Sequence, residues 1–119
     1  VLGVQMSRDK GRHWERAAGE YLESLGWTIL VYNYTTREGE LDLVVLRERE
    51  LVFVEVKMRN GEERSVFDSI GVKKRKALTK TAESFLSDFD QDFDMCYFLL
   101  LYRVDGAWEW MENPFDSEL

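Results

Sequence analysis

The chain has 119 residues and a net charge of −7, with 45% hydrophobic and 13% aromatic residues, one proline and one cysteine. This length holds one core rather than two, the composition excludes a disordered linker, and a lone cysteine excludes an internal disulfide. Its longest apolar run, Met95 to Tyr102, is eight residues, far short of a membrane span.

No signal-peptide pattern opens the chain, so a cytoplasmic single domain over residues 1–119 is expected, without a membrane partner. Val1 to Gln5 precede Met6 and read as an extension or a cloning remnant. The charge is unevenly spread. Residues 77–119 carry 2 basic and 10 acidic residues, whereas residues 1–76 carry 14 and 13. The N-terminal portion can therefore face a polyanion, above all at Lys73-Lys74-Arg75-Lys76, while the acidic remainder argues against strong non-specific DNA binding.

In chain order, Trp14, Ala17, Ala18, Tyr21, Leu22 and Leu25 recur at helical spacing and Gly26 supplies a stop, predicting an amphipathic helix over 8–25. Glu15 and Glu20 both flank its apolar stripe. His13, on the first turn, is a poor catalytic candidate. A strand follows over 27–32, then a polar turn through Thr35 to Gly39.

Leu41 to Leu46 and Leu51 to Lys57 read as the two arms of a hairpin. If Leu46 faces Leu51, or if the turn is the two residues Glu48-Arg49, the register sets Asp42 opposite Glu55 and Glu40 opposite Lys57. Opposed residues hold their Cβ atoms ~4.5–5.5 Å apart, close enough for two carboxylates to share an ion. A bulge would break this register.

Residues 59–65 are polar and glycine-containing and suggest a loop beside Glu55. A second helix is expected over 72–89, its stripe formed by Leu78, Ala82, Phe85 and Leu86. The aspartates at 88, 90, 92 and 94 lack the glycine and glutamate of a calcium loop and read as a solvated turn. Two more strands, 94–104 and 107–111, meet at Asp105-Gly106, and Cys96 lies in the first as a plain core residue. The order of helix, three strands, helix and two strands predicts a mixed α/β domain around a central sheet. No glycine-rich phosphate loop is present, which counts against a nucleotide-dependent enzyme.

Adjacent carboxylates repel, and a proton or a cation relieves them. Hard oxygen donors suit Mg²⁺ or Mn²⁺. Lys57, two residues beyond Glu55, shares its face and could orient a water or stabilise charge on a phosphate. The bland alternative is a buried strand emerging into water with solvated Glu and Lys. Against it, Glu55 follows four apolar residues and Asp42 lies between Leu41 and Leu43, a costly position for an unpartnered carboxylate.

Gly11-Arg12, Glu15, Ala18, Tyr21-Leu22, Gly26, Ile29-Leu30 and Asn33 precede the segment Gly39-Glu40-Leu41-Asp42-Leu43. Leu51 to Lys57 with Arg59, then Lys74, Ala82, Phe85-Leu86, Phe93-Asp94 and Asn113-Pro114-Phe115, complete a pattern spanning nearly the whole chain. Together they resemble the YraN family, small bacterial proteins of the PD-(D/E)XK, or restriction-endonuclease-like, nuclease fold. The resemblance implies a mixed central sheet flanked by helices. It also implies that Asp42, Glu55 and Lys57 fill the family's Asp…Glu-x-Lys positions, and it selects Glu15 over Glu20 as the additional acid. Lys74 matches a basic position that faces a phosphate. Asp92 departs from the pattern, standing where relatives carry a basic residue.

The expected function is thus a Mg²⁺- or Mn²⁺-dependent endonuclease acting on nucleic acid, DNA in the first instance, in repair or recombination. Asp42, Glu55 and the Val56 carbonyl would hold the ion, with Glu15 assisting through water. Lys57 would position the attacking water, with Glu40 as support or as a partner for Lys57. Cutting two strands needs two sites, which makes a homodimer an expectation. Two rivals differ in kind. One is a non-catalytic nucleic-acid- or protein-binding module that keeps the fold. The other is an interaction protein in which Glu55 and Lys57 form a structural ion pair.

Overall fold

A computed structural model describes residues 9–58 and 71–113. The elements are α1 (Asp9–Ser24), β1 (Thr28–Thr35), β2 (Glu40–Arg47), β3 (Glu50–Met58), α2 (Val72–Asp88), β4 (Met95–Val104) and β5 (Ala107–Glu112). The predicted order therefore stands. The loop expected over 59–65 and the segment 1–5 lie outside the described residues.

The five strands form one sheet in the order β1-β2-β3-β4-β5. Neighbours are antiparallel except β3 and β4, which run parallel across the connection that includes α2. Tight turns close the two hairpins on either side of this pair. Glu48-Arg49 joins β2 to β3, and Asp105-Gly106 joins β4 to β5 with φ of 51° and 82°. Two consecutive positive φ values define a type I′ turn, which suits Asp-Gly and follows the twist of the strands.

The helices cover opposite faces. On the α1 side, Ala18 and Leu22 pack with Leu43, Val45, Val52, Val54 and Leu101. On the α2 side, Leu78 and Ala82 pack with Leu41, Val44, Phe53, Phe98, Leu100 and Tyr102. Leu25, expected in the α1 stripe, is 43% exposed because the helix has already ended at Ser24.

β3 keeps strict alternation, with Leu51 and Phe53 on one side and Val52, Val54 and Val56 on the other. β1 and β2 do not. Leu41 should share a face with Leu43, and Tyr34 with Tyr32, yet each pair is split between the two clusters. These two slips fall at Asp42 and at Asn33, whose φ is 54°, and β1 has a further register shift between Ile29 and Val31. The flanking pairs Tyr32–Leu43 and Tyr34–Leu41 set these two residues opposite one another. Because both strands slip at one level, their pairing resumes beyond it as Tyr34–Leu41 and Thr35–Glu40. β1 also runs three residues past its predicted end. Asn33 reads as a turn residue, and here it takes its left-handed conformation inside a strand.

Gly39 closes the turn before β2, where the Thr36 and Gly39 backbones bond to each other. A Cβ there would lie 3.1 Å from Thr81 Oγ1 and 3.4 Å from Ala77 Cβ. The absence of a side chain lets the start of β2 lie close against α2.

Candidate metal centre in the cleft between the second and third strands

The β2–β3 ladder runs from Arg47–Glu50 to Leu43–Val54 and stops there. Its register is the expected one, but the strands diverge just before Asp42 and Glu55 could pair. Neither Asp42–Glu55 nor Glu40–Lys57 is a ladder pair. Beyond the divergence β2 stays with β1 while β3 stays with β4. The Asp42 side chain spans the gap, its Oδ2 accepting the Val56 backbone N–H at 2.9 Å.

This divergence opens a cleft of about 590 Å³, lined by Glu15, Gly39, Glu40, Asp42, Glu55, Val56, Lys57, Lys73, Lys74, Ala77 and Leu78. Every residue selected from the sequence as catalytic, metal-binding or supporting is among them. Glu15 enters from α1 and is 8% exposed. Glu20, the alternative on that helix, faces solvent. Carboxylate oxygens of Glu15, Glu40 and Asp42 lie within 4.8 Å of one another. Glu40, expected as support, is thus a full member of the acidic group.

Glu55 is outside that mutual group but feels the charge of Asp42. It is 4% exposed, and its Oε2 is 3.1 Å from Lys74 Nζ. The lysine expected to face a phosphate is therefore engaged by a carboxylate, a contact between helix and strand that periodicity does not reveal. Lys57, half-buried, lies close to both.

The electrostatics follow from this crowding. Burial, then the charge of Asp42, pushes Glu15 up to about 8, against a lowering hydrogen bond from Asn33. Burial and Asp42 likewise push Glu55 up to about 8 despite Lys74 and Lys57. The ion-pair distance and the raised carboxyl pull in opposite directions here, and burial prevails. Burial pulls Lys57 down, with Lys74 adding repulsion. Burial would lower Lys74 as well, but Glu55 reverses the balance and holds it up.

Among the described residues, one oxygen on each of Glu15 and Glu55 is buried without a hydrogen-bond partner. Buried polar atoms are rarely left so, and two carboxylate oxygens in one cleft fit a hard cation with oxygen ligands. Asn33, drawn from the sequence only as a member of the family pattern, does not line the cleft but hydrogen-bonds Glu15 behind it, a contact that residue-level reasoning missed. Its register position opposite Asp42 was the signal that could have found it.

Among the described residues, a mixed five-stranded sheet between two helices, opened by an acidic cleft where β2 leaves β3, is the restriction-endonuclease-like fold. In agreement, the structure superposes on a Holliday junction resolvase, Hjc, of Archaeoglobus fulgidus with a TM-score of 0.60. That likeness covers 84% of this chain and 73% of the resolvase at 15% sequence identity, a relation of fold. Residues 14–105 match the model of the uncharacterised protein family UPF0102, also called YraN. A UPF0102 protein of Nitrosomonas eutropha is 34% identical over 115 residues, covering 96% of this chain and 99% of its own. Another, from Synechococcus, is 40% identical over 82 residues, 67% of this chain and 63% of that protein. The chain belongs to the UPF0102 family. Among the described residues no helix is long and apolar enough to cross a membrane.

Proposed function

We propose that the protein is a metal-dependent nuclease that hydrolyses phosphodiester bonds in DNA. The observation that carries this reading is the convergence of Glu15, Glu40 and Asp42 in a cleft whose other wall bears Glu55, Lys57, Lys73 and Lys74. Mg²⁺ or Mn²⁺, when bound, would supply Lewis-acid stabilisation of the phosphate. Asp42 and Glu55 would hold it, with the Val56 carbonyl adding a ligand and Glu15 and Glu40 completing the acidic wall. Lowered by burial, Lys57 is suited to hold the attacking water and to exchange a proton with it.

Lys73, Lys76 and Lys80 are exposed along α2 beside the cleft and favour a phosphate backbone over a neutral substrate. The solved neighbour is named for Holliday junctions, which supports branched DNA as the first substrate to try. Repair or recombination in the cytoplasm, and a homodimer cutting two strands, belong to the same reading.

The test is to incubate the protein with branched, flapped and single-stranded DNA and Mn²⁺, with Glu55→Ala as control. Cleavage by wild type alone supports the nuclease. The rival, a binding module with the same fold, draws on the net −8 charge of residues 77–119. Binding without cleavage, unchanged in Lys57→Ala, would establish it instead.

A further inference from the structure

Lys74 is poorly placed for its own helix. α2 begins at Val72 with Gly71 as its N-cap, makes no side-chain cap bond, and has no acidic residue in its first turn. Lys73, Lys74, Arg75 and Lys76 crowd this end, where the helix dipole is positive and cations are disfavoured. Helix stability does not account for a lysine there.

Its partner supplies a reason. Glu55 is held on β3 with only 4% exposure at the wall of the cleft, so ionising it alone would be costly. Lys74 Nζ lies 3.1 Å from one of its oxygens, while the other has no partner among the described residues. The two ends of this pair differ in freedom. The Lys74 side chain is 43% exposed and the Glu55 side chain 5%. The ammonium can swing into water on its flexible stem, and the carboxylate cannot follow.

We propose that Lys74 is a built-in counter-cation for Glu55, which a divalent ion displaces on entering the cleft. The displaced ammonium, on the same rim as Lys57 and Lys73, then becomes available to a substrate phosphate. This inference rests on the nuclease reading above. It makes metal loading and phosphate binding cooperative, because the ion that fills the cleft also frees the lysine.

The sign of one measurement separates this from a supporting role. A residue that merely orients Glu55 loses metal affinity when replaced, whereas a competitor gains it. Calorimetric titration with Mn²⁺ alone, run above the pH of about 8 at which the Glu55 carboxyl ionises, should show Lys74→Met and Lys74→Gln binding about tenfold more tightly than wild type. Lys74→Arg, which keeps the competing charge, should stay near the wild-type value. A second readout needs no variant. Acylation of Lys74 in the wild-type protein, followed by mass spectrometry, should accelerate on adding Mn²⁺ while Lys80 is unaffected. Equal or weaker affinity in both neutral variants, or unchanged Lys74 reactivity in Mn²⁺-bound protein, overturns the exchange and leaves the metal site standing. If no form of the protein binds Mn²⁺, the metal reading itself falls and the exchange falls with it.

Discussion

Asp42 Oδ2 accepts the Val56 backbone N–H at 2.9 Å, at the level where β2 and β3 cease to pair. One carboxylate therefore does two jobs, bridging the separated strands and facing the cations of the cleft. The jobs separate on substitution. Asp42→Asn keeps an oxygen for the Val56 N–H and relieves repulsion with Glu15 and Glu55. It should melt no lower than wild type yet bind Mn²⁺ at least about tenfold more weakly. Asp42→Ala should lose affinity and also about 1–3 kcal/mol of stability from the orphaned N–H. Calorimetry beside thermal melts checks both, and an Asn variant with wild-type affinity would remove Asp42 from the metal site.

Glu15 and Glu55 give the metal-free protein a pH dependence of definite sign. Each ordinarily titrates near 4.5 and is raised to about 8 in the fold. The native state thus holds protons that the unfolded chain has released, so this stability is present below the lower value and lost as pH rises through the upper. In EDTA the melting temperature should fall by at least about 5 °C between about pH 5 and about pH 8.5. Glu15→Gln should partially flatten that fall. Mn²⁺ should stabilise more strongly as pH rises, because it binds the ionised carboxylates. A melting temperature that climbs across the window would refute the assignment.

For Lys57, lost chemistry should separate from lost binding. Lys57→Ala is expected to cut the cleavage rate by about 10²–10³-fold while leaving Mn²⁺ affinity within about threefold of wild type. Single-turnover cleavage and calorimetry on one preparation decide it. Equal losses in both would make Lys57 a structural partner of Glu55 instead.

Asn33 can be dissected by backbone preference. Glycine tolerates its φ of 54° and alanine does not, so Asn33→Ala should be about 1 kcal/mol less stable than Asn33→Gly. Both variants lose the amide that bonds Glu15. Denaturant unfolding of the pair isolates the backbone contribution, and equal stabilities would contradict it.

Much of this was legible in the chain because each element has a clean period. The register of the central hairpin followed from Leu46 and Leu51, and Asp42 and Glu55 were found at one level. Period-two reasoning assumes an unbroken ladder, however, and the ladder ends at Leu43–Val54. The left-handed Asn33 and the face switch at Asp42 are backbone events that residue types permit but do not announce. Family resemblance alone selects Glu15, since Glu20 has equal claim on spacing. The Lys74–Glu55 pair was invisible because α2 meets β3 in space with no local rule linking them.

The divergence of β2 from β3 also bears on the order of assembly. β1, β2 and β3 form a meander of local contacts, whereas β3 must wait for β4, some forty residues on, to acquire its parallel neighbour. Non-local pairings of this kind close late in folding. Glu15 and Lys74, carried by the two helices, reach Asp42 and Glu55 only when those helices dock. The crowding of carboxylates is then felt after the rate-limiting step. Relieving it, as in Asp42→Asn, should slow unfolding and leave the folding rate nearly unchanged.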